Sequence, residues 1–125
     1  MSAKKKVLVI DDDPAICESV HAILDANGYE TAYALSGKDG VAAFREMRPD
    51  IVLCDMMMED IDAGVKVTSL MKEERPEIPI FLLSTVGDAT ADTVGIFNLG
   101  FAGVFQKPVN FDLLLSVLAK QSKTG

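Results

Sequence analysis

The chain has 125 residues, 49% of them apolar, and carries 19 acids against 12 bases for a net charge of −7. A single domain of this size buries roughly two-thirds of its unfolded surface and needs no disulfide or metal staple. The 25% of charged residues is an ordinary share, which excludes a disordered chain. The acidic balance argues against direct nucleic-acid binding, which leaves a basic footprint. No apolar run approaches the roughly 18 residues of a membrane helix, and the run that follows the basic 1–6 stretch is too short for a signal peptide core. Cys17 and Cys54 each sit inside an apolar segment, which suggests reduced thiols and a cytoplasmic protein.

Five short apolar runs, at 7–10, 29–34, 51–54, 80–83 and 103–105, read as strands. After the first, Asp13 as N-cap and Pro14 at the first helical position start a helix whose apolar face is Ile16, Val20, Ile23 and Leu24. Asn27 and Gly28 stop it, Gly28 suiting a left-handed position. Ser36 caps a second helix to about Met47, with Val41, Ala42, Phe44 and Met47 inward. A third spans 63–74 with Val65, Val67, Leu70 and Met71 as its apolar set, ending before Pro76 and Pro79. Asp88 caps a fourth over 89–99, closed by Gly100. Asn110 caps the last over 111–120, with Leu114, Leu115 and Leu118 inward, and 123–125 reads as a fraying end.

Strand–helix alternation with near-continuous apolar strands predicts an α/β fold with a parallel sheet covered on both faces. Right-handed crossovers leave few topologies, and a doubly wound, five-stranded flavodoxin-like sheet of order 2-1-3-4-5 is expected. Such sheets bind ligands at the carboxyl ends of their strands. Those ends here carry Asp11, Asp12 and Asp13, then Asp55, Ser84 and Lys107. Three carboxylates on one rim repel one another unless a cation intervenes. A hard divalent ion such as Mg²⁺ suits oxygen ligands and a phosphate. Lys107 and Ser84 supply a positive charge and a hydroxyl to a phosphoryl group, and an ionised Asp55 can be the nucleophile that forms an aspartyl-phosphate.

Four segments carry a family resemblance. They are Val7-Leu8-Val9-Ile10-Asp11-Asp12-Asp13-Pro14, Pro49-Asp50-Ile51-Val52-Leu53-Cys54-Asp55, Pro79-Ile80-Phe81-Leu82-Leu83-Ser84 with Gly87-Asp88, and the stretch from Gly100 to Lys107-Pro108. Together they resemble the receiver domain of two-component response regulators, over about 6–120. The resemblance implies Asp55 as phosphoacceptor, Asp12 as direct metal ligand, Asp11 as ligand through water, and the Met57 backbone carbonyl as a further ligand. It implies Mg²⁺, with Mn²⁺ as a substitute, and Ser84 and Lys107 as phosphoryl contacts, Ser84 moving inward on phosphorylation. It implies a histidine kinase or histidine phosphotransfer protein as donor, docking on the first helix and the loop after Lys107. An unidentified downstream protein or output domain would be met on the face of the 89–99 helix, fifth strand and last helix. One receiver over 1–125, with no output domain, no membrane contact and no turnover of a substrate, is the expectation. A phosphorylation-independent interaction module and a small aspartate-based phosphohydrolase are the alternatives. The second needs an acid where Met57 stands.

Three departures from the family pattern stand out. Glu59 replaces a customary proline, and Ala63 falls between Asp62 and Gly64, so the loop after Asp55 is expected to be acidic and mobile. Val104 stands where an aromatic switch residue is common, while Phe105 is expected in the core on the opposite face of the strand. Signalling should therefore run through the Ser84 loop and the 89–99 helix. Met57 and Val86 cannot orient an attacking water, so slow self-dephosphorylation is expected. Met56, Met57 and Met58 form a polarisable patch, and His21 reads as a surface residue.

Overall fold

The computed structural model describes residues 5–55, 63–85, 102–107 and 109–124. Strands β1 (Lys6–Ile10), β2 (Glu30–Ala34), β3 (Ile51–Asp55), β4 (Ile80–Thr85) and β5 (Gly103–Lys107) alternate with helices α1 (Pro14–Ala26), α2 (Gly37–Met47), α3 (Ala63–Glu74) and, after β5, α4 (Phe111–Thr124). The sheet order is β2-β1-β3-β4-β5, with every pair parallel. This is the doubly wound, flavodoxin-like arrangement that the alternating pattern predicts. The expected 89–99 helix and its Asp88 cap lie outside the described residues.

The helix starts follow local chemistry. Asp13 accepts from the backbone N–H of Ala15 at 2.9 Å, Ser36 from Asp39 at 3.1 Å and Asn110 from Leu113 at 3.1 Å. Each satisfies a donor that the first helical turn leaves unpaired. Gly28 has φ +90, the left-handed conformation expected of it. Replacing Ser36 by Ala should cost about 1 kcal/mol, read as a lower urea midpoint with an unchanged slope.

Alternation along the buried strands divides the core in two. Val7, Val9, Leu53, Phe81, Leu83 and Phe105 pack toward α1 and α4. Leu8, Ile10, Val52, Cys54, Ile80 and Leu82 pack against Phe44, Met71 and Ile78. Phe105 is buried against Phe81, with ring centroids 5.4 Å apart, while Val104 packs on the other cluster. The expected core role of Phe105 therefore holds.

Three helical expectations need correction. In α3, Leu70 is 36% exposed and Thr68 is buried instead. Residues two apart on a helix do not share a face, and the close packing of Met71 decides which face turns inward. In α2, Ala42 is exposed and Gly40 is buried beside Phe44. Only a residue without a side chain fits there: a Cβ at Gly40 would lie 2.6 Å from Ile10 Cδ1. Finally, α4 continues past Lys120 to Thr124, so Lys123 and Thr124 are helical. No glycine or proline interrupts it before Gly125.

Candidate functional site

The carboxyl ends of β1, β3, β4 and β5 meet at one rim. Asp11 follows β1 directly, and its N–H extends the pairing to β2 by donating to the Ala34 carbonyl at 3.1 Å. Ile10 is in register with Cys54, so Asp11 stands beside Asp55, the last residue of β3. Asp55 is in register with Leu83, which places Ser84 one step further along β4. Lys107 ends β5, opposite Thr85.

Around this rim the side chains converge. Carboxylate oxygens of Asp11, Asp12 and Asp55 all lie within 4.8 Å of one another. Asp11 and Asp55 are buried, and Asp12 is exposed, so the cluster is closed on the protein side and open to solvent. The Lys107 ammonium bridges the buried pair, 2.8 Å from Asp11 Oδ2 and 3.2 Å from Asp55 Oδ2. Ser84 is buried at the same strand ends. The strand ends thus bring Asp11, Asp12, Asp55, Ser84 and Lys107 to one rim. Met57, whose carbonyl was expected to join the metal shell, lies outside the described residues, as do Glu59, Asp60, Asp62 and Val86.

Electrostatics decide what this cluster can hold. One ammonium faces three carboxylates, leaving an excess of two negative charges. Burial alone would lower the Lys107 pKa, but the hydrogen bond and charge of Asp11, followed by the charge of Asp55, outweigh it and hold the ammonium above its ordinary value. Asp11 Oδ1 already accepts from the Asp13 N–H at 2.9 Å. Asp11 Oδ2 is fully buried, and among the described residues its contact is the Lys107 ammonium at 2.8 Å. A buried, under-satisfied carboxylate oxygen beside two more carboxylates is a donor set for a hard divalent cation, and Mg²⁺ fits it in ligand type and charge.

One contact was not foreseen. Cys17 lies in the core at one turn's spacing from Asp13, and its thiol donates to the Asp11 carbonyl with Sγ at 3.3 Å. Burial, reinforced by the Asp11 charge, pushes this thiol up to about 12. Burial followed by the charges of Asp55 and Asp11 also raises Cys54. Both thiols should resist alkylation at pH 8 until the protein is unfolded, when two should react. A folded-state pKa above the ordinary 9.0 of Cys17 stabilises the fold below pH 9.0. That contribution fades as pH rises toward 12, so the urea midpoint should fall between pH 8 and pH 10.

A family model described as the response regulator receiver domain matches residues 7–119. The chain belongs to that family. Among curated proteins, this receiver domain is 37% identical over 117 residues to the transcriptional regulatory protein ZraR of Salmonella typhimurium, covering 94% of this chain and 26% of that protein. It is 33% identical over 120 residues to the probable transcriptional regulatory protein TcrX of Mycobacterium tuberculosis, covering 95% of this chain and 50% of that one. The chain thus spans half or less of the length of these relatives. Among solved structures, the receiver domain of NtrX from Brucella abortus is similar with a TM-score of 0.85 and 27% identity, covering 95% of this chain and 99% of that one. No described helix of the receiver is long and apolar enough to cross a membrane.

Proposed function

We propose that this receiver domain is a phosphorylation-dependent signalling switch that accepts a phosphoryl group on Asp55. The observation that carries the reading is the Lys107 ammonium seated between Asp11 and Asp55 at 2.8 and 3.2 Å, with Asp12 open to solvent beside them. A nucleophilic carboxylate, a fixed cation and a set of hard oxygen ligands are the groups that a phosphoryl transfer needs at one point.

In this reading Mg²⁺ would be held by Asp12 and Asp55, by Asp11 through water, and by the Met57 carbonyl as the family implies. When bound it neutralises charge on the transferring phosphoryl oxygens. An Asp55 oxygen attacks phosphorus as the P–N bond of a donor phosphohistidine breaks, and the electron pair returns to the imidazole nitrogen, which is protonated as it leaves. Lys107 then turns from the carboxylates to the phosphoryl oxygens, and the Ser84 hydroxyl supports them from β4. The domain passes on a signal and turns over no substrate, so it is not an enzyme in the usual sense.

Donor docking is assigned to α1 and the segment after Lys107. A groove of about 490 Å³ lies there, with Ile16, Val20, Val109 and Phe111 in its walls and Lys107 at its end. A histidine kinase or phosphotransfer protein is the partner of that groove, and the receiver acts in the cytoplasm on a downstream protein or output domain rather than on nucleic acid. The relatives named as transcriptional regulators support such an output. Beryllofluoride with Mg²⁺ mimics an aspartyl-phosphate and tests the switch. Amide resonances at the ends of β3, β4 and β5 should shift in the wild type. A spectrum unchanged by beryllofluoride would instead favour an interaction module that does not respond to phosphorylation.

A further inference from the structure

The 12 basic residues of the chain include only three arginines, Arg45, Arg48 and Arg75, and all three line one cavity of about 270 Å³. The cavity lies between the C-terminal ends of α2 and α3, at the opposite end of the sheet from Asp55. We propose that it binds a small phosphoryl anion.

Two of the guanidiniums are already oriented. Arg45 on α2 donates from Nε and Nη2 to the Glu74 carboxylate of α3, at 3.0 and 2.6 Å. Arg75 donates from Nη1 to the Pro49 carbonyl at 2.6 Å and lies over the buried Phe44 ring, 5.8 Å from its centroid. A guanidinium has five N–H donors in a rigid fork, so each retains donors after these contacts. Arg48 is exposed and, among the described residues, its side chain has no hydrogen bond or ion pair. It also takes φ +51 at the end of α2, a left-handed conformation that favours glycine.

Charge sets the sign of the ligand. Three guanidiniums face Glu74 in the lining, and the exposed Glu77 stands at the edge with its carboxylate 3.7 Å from Arg75 Nε. The carbonyl ends of α2 and α3 add roughly half a negative charge each, so the site as a whole is close to neutral. The attraction for an anion rests on Arg48, the guanidinium with no carboxylate partner among the described residues. A planar fork matches phosphate geometry bidentately. The volume falls below the roughly 300–1,000 Å³ of sites for drug-sized ligands, which limits the occupant to inorganic phosphate or a small phosphoester. Neither Asp55 nor Mg²⁺ takes part, so the proposal stands apart from the switch chemistry.

Three arginines make the test direct, because their Nε–Hε resonances can each be assigned by one substitution. The ¹⁵N-labelled chain, in EDTA and at constant ionic strength, is titrated in parallel with inorganic phosphate, ribose 5-phosphate and chloride. Saturable shifts of all three resonances with phosphate or the sugar phosphate, and none with chloride, are expected. The tighter of the two phosphoryl ligands identifies the source. Arg48→Gly removes one guanidinium while relieving the positive φ, so it should fold at least as stably and bind at least about fivefold more weakly. Shifts that grow without saturation and equally with chloride would overturn the proposal. So would an Arg48→Gly chain that titrates like the wild type.

Discussion

Asp55→Asn should abolish phosphoryl incorporation and the spectral response to beryllofluoride with Mg²⁺, while leaving the fold in place. The substitution keeps the shape of a buried side chain that ends β3 and removes only its charge and nucleophilic oxygen. Loss of a covalent nucleophile costs on the order of 10⁶ in rate where it has been dissected, so labelling should fall to background. Stability should change little. Lys107 keeps its 2.8 Å ion pair with Asp11, and one carboxylate fewer relieves repulsion on the rim. Radiolabel transfer from a phosphohistidine donor, followed on wild type and variant with urea unfolding as control, checks both halves. Labelling of the variant at the wild-type level would place the phosphoryl group elsewhere and remove the basis for the switch.

Gly40→Val should destabilise the fold by overpacking the α2–β1 contact. A Cβ at this position meets Ile10 Cδ1 at 2.6 Å, Cγ1 at 2.9 Å and Cγ2 at 3.0 Å. Ile10 is fully buried and cannot swing away. Overpacking of this kind costs about 1–3 kcal/mol, and the gain in helix propensity from leaving glycine offsets only a few tenths of that. Ile10→Ala alone should cost about 2–5 kcal/mol by opening a cavity. Together they move volume from β1 to α2, because Ala lacks all three of the atoms that the new side chain strikes. The double variant should therefore lose less than the sum of the singles by at least about 1 kcal/mol, within the range seen for touching residues. Strict additivity in urea would mean that the two helix–strand surfaces do not meet as described.

The charge pattern illustrates how local and global information divide. The acids of 11–13 and Asp55 are far apart in the chain, yet alternation of strand and helix with right-handed crossovers was enough to place them on one rim. The arginines carried no comparable signal. Arg45 in the last turn of α2 and Arg48 just past its end look like ordinary helix-end residues, and Arg75 stands well apart after α3. Only the packing of the two helices makes one cavity of them.

Helix faces show the same division at finer scale. Apolar spacing alone put Val20 and Leu24 of α1 and Leu114 and Leu118 of α4 in the core, and there the structure agrees. It misjudged Leu70 and Ala42, because a period of 3.6 leaves the rotation of a short helix open when apolar residues lie on more than one side. Met71 and Thr68 settled it for α3, and the close approach of Gly40 to Ile10 settled it for α2.

By itself the sequence determined the order of elements, the parallel doubly wound sheet and the chemistry of the strand ends. These follow from short-range periodicity, caps and handedness, which act within a few residues of one another. The tertiary structure decided which side of α2 and α3 turns inward, that the Cys17 thiol supports the Asp11 carbonyl, and that Lys107 reaches past β4 to sit between Asp11 and Asp55. Each of these depends on distances of a few tenths of an ångström between residues remote in the chain. Only close packing sets such distances, and neither composition nor spacing encodes them.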